Sequence, residues 1–156
     1  MGLDSAGIRA RIPHAGRMCL IDEVLEWDGE RITCRSRAHR AADHPLRSGA
    51  GLGTATGIEL AAQAMAVHGA LLAGEHGAAA PAGRLASVRG VEILVDRLDT
   101  LTDDLIIACE RLAGDERSAL YQFTVAAGAC PVIRGRATIA LDPPRGAPPA
   151  VSPPYP

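Results

Sequence analysis

The run TGIELAAQAMAVHGALLA, residues 56–73, decides how the rest of the chain is read. Ile58, Leu60, Ala61, Met65, Ala66, Val67, Leu71 and Leu72 cannot share one face at about 100° per residue, so the run reads as a helix that is apolar all round and therefore buried. Glu59, Gln63 and His68 interrupt it, and it falls short of the roughly 18 apolar residues of a membrane span. Glu59 has no basic residue three or four places away, because Ala55, Thr56, Ala62 and Gln63 occupy those positions. A carboxylate on a core helix without a local counter-ion is costly, which makes Glu59 a candidate functional residue. The plainer alternative is an acid near the helix start that takes the favourable end of the dipole and points to water. Gln63 lies one turn on, on the same face, whereas His68 falls roughly opposite Glu59.

At 156 residues the chain fits one domain, with residues 1–141 as the folded unit and 142–156, DPPRGAPPAVSPPYP, as a Pro-rich tail that cannot join a sheet and reads as extended or disordered. A net charge of −2 argues against a nucleic-acid surface, and 3% aromatic residues leave no stacking platform for single strands. All 16 basic residues are Arg, a bias that fits genome base composition better than selected arginine chemistry. The N-terminal stretch has neither a signal-peptide core nor a myristoylation pattern, so a cytoplasmic protein without a membrane association is expected. Cys19, Cys34, Cys109 and Cys130 lack the close paired spacing of zinc sites and are expected to be reduced, small and buried in strands. No metal and no cofactor is implied.

Upstream of the helix, residues 1–12 read as a lead-in, Pro13-His14 as a bend, and MCLIDEVLEW, Asp28-Gly29, ERITCRSRA as a β-hairpin. A two-residue Asp28-Gly29 loop would pair Glu26 with Arg31 and Asp22 with Arg35, setting opposite charges face to face. Residues 38–55 form a long Gly-rich connection containing His39 and His44, and a loop of that length commonly carries function. Beyond the helix, a linker over residues 74–83 leads to a strand over 84–97, and LIIACERL, SALYQFTVAA and CPVIRGRATIAL follow between turns. The expected class is α+β, an antiparallel sheet of about six strands wrapped around one long central helix.

That order resembles the hot-dog fold, and within it the β-hydroxyacyl-acyl-carrier-protein dehydratases, closest to the small dehydratase-like proteins of bacterial aryl-polyene and related lipid clusters. The residues that carry the resemblance are Ile12-Pro13-His14 before Met18–Leu25, His44 ahead of the helix, Glu59 with Gln63 four residues later, and Val88-Arg89-Gly90-Val91. It runs from about Ile12 to Leu141. By this resemblance His44 and Glu59 are the catalytic pair, meeting across a homodimer, and backbone N–H groups at Thr56, Gly57 and Ile58, with Gln63, serve the substrate. His44 would take the proton next to a thioester carbonyl while Glu59 delivers one to the leaving hydroxyl. The chain departs from the family in having Asp43-His44-Pro45-Leu46 where Gly-His-Phe-Pro-Gly is usual, and Leu52-Gly53-Thr54 where a Pro-Gly pair precedes the acid. The implied substrate is an acyl-carrier-protein or coenzyme A thioester. Two alternatives stand beside dehydration: a hot-dog thioesterase in which Glu59 activates water, and a non-catalytic acyl-carrier or acyl-chain binding subunit. Arg31, Arg35, Arg37, Arg40 and Arg47 are candidates for steering an acidic carrier, against the plainer reading that they are ordinary surface arginines paired across the hairpin.

Overall fold

The structure is a computed structural model that describes residues 2–12, 18–78 and 81–142. The Pro13-His14 bend, and the tail from residue 143 on, lie outside the described residues. Short helix α1 (Ser5–Arg9) precedes strands β1 (Glu23–Trp27) and β2 (Arg31–Ser36). Helix α2 (Thr56–Glu75) follows, and then β3 (Gly83–Ile93), β4 (Leu105–Gly114), β5 (Ser118–Ala127) and β6 (Cys130–Leu141). All six strands form one antiparallel sheet in the order β1-β2-β4-β5-β6-β3, curled about α2. This is the α+β hot-dog arrangement expected from the sequence.

Alternation explains the sheet's inner face, since every second residue of β5 (Ala119, Tyr121, Phe123, Val125, Ala127) is buried. These residues meet Leu60, Ala61, Ala64, Met65, Val67 and Leu71 of α2 in one core with Ile32, Cys34, Ile107, Cys109 and Ile133. Contact is closest where α2 begins, because a methyl group on Gly57 would lie 2.6 Å from Cγ2 of the fully buried Ile133. Any side chain there would push the helix start off β6. The helix is not buried on every side, however. Ile58, Glu59, Ala62, Ala66 and Ala73 are only partly covered, and they mark a face of small residues that this chain leaves half open.

Four expectations need correction. The lead-in belongs to the core: Asp4 caps α1 by accepting the Gly7 N–H at 2.9 Å, Leu3 bridges to Val24, and Ile8 and Ile12 are buried. The first hairpin has a longer loop than two residues. Asp28 Oδ1 accepts the N–H groups of Glu30 and Arg31, each at 2.8 Å, so the ladder closes at Trp27 with Ile32, and a bulge between Val24 and Glu26 shifts the rest. Arg35 consequently lies opposite and pairs with Glu23 rather than Asp22, and Glu26 lies opposite Thr33 rather than Arg31. β3 stops at Ile93, short of Arg97. Cys130 is exposed and Cys19 half-buried, whereas Cys34 and Cys109 are buried; all four are free thiols.

One edge of the sheet is open. β3 pairs only with β6, and Leu85, Val91 and Ile93, with Leu94 just beyond, are 39%, 36%, 54% and 47% exposed. An eleven-residue edge strand carrying exposed apolar side chains is a ready template for another strand.

Candidate active site

Gln63 organises the face that carries Glu59. Its side chain is fully buried, and its Oε1 accepts the Leu20 N–H at 2.8 Å. Because that backbone group can only donate, the carboxamide orientation is fixed and Nε2 must turn the other way. There it donates to Met18 O at 2.7 Å and to Glu59 Oε1 at 3.0 Å. One amide therefore both ties the segment before β1 to the central helix and holds the Glu59 carboxyl in place. Leucine at this position would leave the Leu20 N–H and the Met18 carbonyl without partners, so Gln63→Leu is expected to lower stability by about 2 kcal/mol or more, read by urea unfolding.

The histidines fare differently. His44 is 6% exposed and lies in a surface depression lined by Ala42, Asp43, Pro45, Arg47 and Ser48, with no residue of α2 in its wall. Among the described residues, those that line this depression include neither Glu59 nor any other residue of α2. His44 Nδ1 accepts the Leu46 N–H at 3.0 Å. Burial first, then the neighbouring His39 and Arg47, pushes its pKa below the ordinary imidazole range, with Asp43 opposing. His39, on a single 3-10 turn at Ala38–Arg40, is almost completely enclosed and makes a 3.2 Å bond from Nε2 to Leu101 O. His68 is fully buried, its Nε2 donating to Asp28 O at 2.8 Å and its Nδ1 2.7 Å from the Tyr121 hydroxyl, away from Glu59 as its angular position predicts. Burial pushes its pKa below the ordinary imidazole range, and its two bonds pin α2 to the hairpin turn and β5.

The loop that carries His44 is clamped to the connection after β3. Asp99 accepts two bonds from Arg97, at 3.1 and 2.5 Å, and the Leu52 N–H at 3.0 Å, with Arg47 at 3.6 Å. Arg97 and the Leu52 amide hold the Asp99 carboxyl well below the usual carboxylate range. Leu98 N–H donates to Leu52 O at 2.8 Å, and the Thr54 hydroxyl to Val95 O at 2.5 Å. The chain then turns straight into α2, so the N–H groups of Thr56, Gly57 and Ile58 are already engaged, donating to Gly53, Thr54 and Ala55 carbonyls at 3.1, 2.9 and 3.0 Å. These are the amides the sequence reading assigned to the substrate oxygen.

Of the arginines considered for carrier docking, Arg31 pairs with Glu110, Arg35 with Glu23, Arg40 with Asp104 and Arg47 with Asp99. Of these pairs only Arg35 with Glu23 spans the first hairpin; Arg31 reaches β4, Arg40 the turn before it, and Arg47 the connection after β3. Arg37 contributes its backbone N–H to Asp22 at 2.6 Å.

Sequence reasoning missed the Leu46 contact and the double tether of Gln63 to Met18 and Leu20. A glutamine on a helix that is otherwise apolar was the available signal for the second; nothing in the sequence signals the first.

A six-stranded antiparallel sheet curled around one long helix defines the class: a hot-dog protein. The chain belongs to the ApeP-like family, described as ApeP dehydratase, whose family model matches residues 6–145. Among solved structures it is similar to the dehydratase heterocomplex ApeI:P from Xenorhabdus doucetiae, at 21% identity and a TM-score of 0.77, covering 87% of this chain and 91% of that one. It is also similar to a mutant of the thioesterase SAV0944 from Staphylococcus aureus, at 11% identity and a TM-score of 0.58 over 77% of this chain and 92% of that one. A mutant of the thioesterase PA1618 from Pseudomonas aeruginosa gives 13% identity and a TM-score of 0.51 over 80% and 82%. At such identities the structural likenesses establish the fold, and the family match carries the dehydratase assignment. No curated protein sequence matches the chain. Among the described residues no helix is long and apolar enough to cross a membrane.

Proposed function

We propose that the protein dehydrates a β-hydroxyacyl thioester to the trans-2-enoyl thioester, on a carrier protein or coenzyme A, in a site that His44 of one chain and Glu59 of another build together. The observation that carries this reading is the Glu59 carboxyl held by Gln63 on the half-open face of α2. Elimination of water needs a proton taken from C2, a proton delivered to the C3 hydroxyl, and a donor at the thioester oxygen. A carboxyl held by an amide on a face of small residues can meet the first two needs and leaves room for an acyl chain beside it.

The dimer follows from exposure. The open β3 edge and the half-covered helix face are both features that a second hot-dog subunit would bury, and a symmetric pair does so with one interface. The solved relative is a heterocomplex, which supports pairing of hot-dog subunits as such. A thioesterase remains the competing chemistry, since solved thioesterases share the fold. Incubation with a β-hydroxyacyl carrier-protein thioester, read by mass spectrometry, separates the readings. Enoyl thioester is the expected product. Free thiol with hydroxy acid would replace dehydration by hydrolysis, and an unchanged substrate would leave a binding subunit.

A further inference from the structure

We propose that Asp99 is a positioning residue for the dehydration: by fixing Leu52 it sets the course of the backbone into α2, and so the place of the Glu59 carboxyl. The proposal rests on the dehydratase reading and adds to it a residue that acts through the backbone rather than on the substrate. Helix α2 begins without a side-chain cap. Ala55 stands at the capping position, and the hydroxyl of Thr54 just before it is spent on Val95 O at 2.5 Å. Backbone alone closes the first turn, with the Thr56, Gly57 and Ile58 N–H groups donating to carbonyls three residues back. A helix start of that kind takes its direction from whatever holds the residues ahead of it.

Asp99 holds them. Its side chain is only 3% exposed, and Oδ1 accepts the Leu52 N–H at 3.0 Å. Arg97 closes on the same carboxylate from Nε and Nη2, at 3.1 and 2.5 Å, while Arg47 approaches at 3.6 Å. Just ahead of Leu52, Ser48 and Gly51 exchange two backbone bonds, at 3.0 and 2.9 Å, and fold residues 48–51 into a tight turn against the clamp. Gly51 sits there at φ +98°, where a methyl group would lie 2.5 Å from Arg97 Nη2 and 2.8 Å from Asp99 Oδ2. The neighbouring peptides complete the grip, with Leu98 N–H donating to Leu52 O at 2.8 Å and Thr54 N–H to Asp96 O at 3.3 Å.

On its other side the start of α2 has no slack, because Gly57 lies against Ile133 more closely than a methyl group would allow. Clamp and sheet therefore locate the first turn between them, and Glu59 follows within that turn. The clamp itself lies outside the core, with Arg97 half-exposed, so its loss should leave the packing of sheet on helix in place and shift the helix start. A displacement of about 1 Å at a reacting group is enough to cost up to about a hundredfold in rate.

The test is a pair of substitutions in the full chain, with a β-hydroxyacyl carrier-protein thioester as substrate. Asp99→Ala removes every bond of the carboxylate, and kcat should fall at least about tenfold with KM changed by less than about threefold. Asp99→Asn separates the partners, since the Leu52 N–H can only donate and the new amide must turn its carbonyl oxygen there and its NH₂ toward the arginines. With Leu52 still held, kcat should return to within about threefold of wild type although both ion pairs are gone. Hydrogen exchange read by mass spectrometry gives the local signature: in Asp99→Ala the amides of residues 51–58 should exchange at least about tenfold faster while those of β5 keep their protection. If wild type forms enoyl product and Asp99→Ala keeps kcat within about threefold of it, or slows without faster exchange at residues 51–58, the positioning role is overturned. Exchange that rises as much in β5 as in the loop makes Asp99 a plain stabiliser of the fold and overturns it too, and an Asn variant as slow as Ala overturns the route through Leu52. A wild type that makes no enoyl product overturns the dehydratase reading and the role with it.

Discussion

Glu59→Gln is expected to abolish turnover while leaving the fold intact. The replacement is nearly isosteric, its carbonyl oxygen can still accept the N–H that Gln63 donates to Glu59 at 3.0 Å, and glutamine and glutamate have similar helix propensities. What disappears is the ability to take up and return a proton. Each such step is typically worth about 10² to 10⁴ in rate, so its loss should cost at least the lower end of that range. The thermal midpoint by circular dichroism should stay close to wild type, and kcat should fall at least a hundredfold, about 2.7 kcal/mol in transition-state stabilisation. Turnover retained within about tenfold would remove Glu59 from the chemistry.

The second large effect is a recovery. His44→Ala and Glu59→Gln should each be inactive alone, and mixing them under subunit exchange should restore about a quarter of wild-type activity. Random pairing makes half the dimers hybrids, and in each hybrid one site carries both lesions while the other carries neither. The wall of the His44 depression contains no α2 residue, which is why the pairing is expected between chains rather than within one. Sites built within a single chain would recover nothing, and a monomer by light scattering would remove the premise.

How much of this was legible beforehand differs by element. β5 and β6 were read to the residue, because their alternation is bounded by turn signals on both sides. The central helix was legible from its lack of a polar face, although the half-open stripe through Ala62, Ala66 and Ala73 was not: alanine looks the same in a core and in a cleft. The first hairpin slipped because Asp28 spends its carboxylate on two backbone amides, a local bond that an Asp-Gly turn rule does not anticipate. The lead-in was missed because Ile8 and Ile12 are too few to make a pattern, yet both are buried by the fold. Within the candidate site, Glu59 and Gln63 declared themselves by being polar on an apolar helix. The contact of His44 with the Leu46 amide did not, since every residue but proline would offer that amide at that position.

The Asp99 clamp ties two parts of the molecule that the topology keeps apart. Edge strand β3 ends at Ile93, Leu94 N–H still reaches Val132 O of β6, and the residues just beyond grip the run into α2: Val95 O takes the Thr54 hydroxyl, Asp96 O takes the Thr54 N–H, and Asp99 holds Leu52. A push on the β3 edge is therefore transmitted, within a few peptide units, to the residues that lead into the helix carrying Glu59. In the proposed dimer, subunit association on that edge and the geometry around Glu59 would form a single mechanical assembly, like a latch whose bolt and handle are cut from one bar. A substitution on the edge, remote from any substrate, would be felt in catalysis before it was felt in folding.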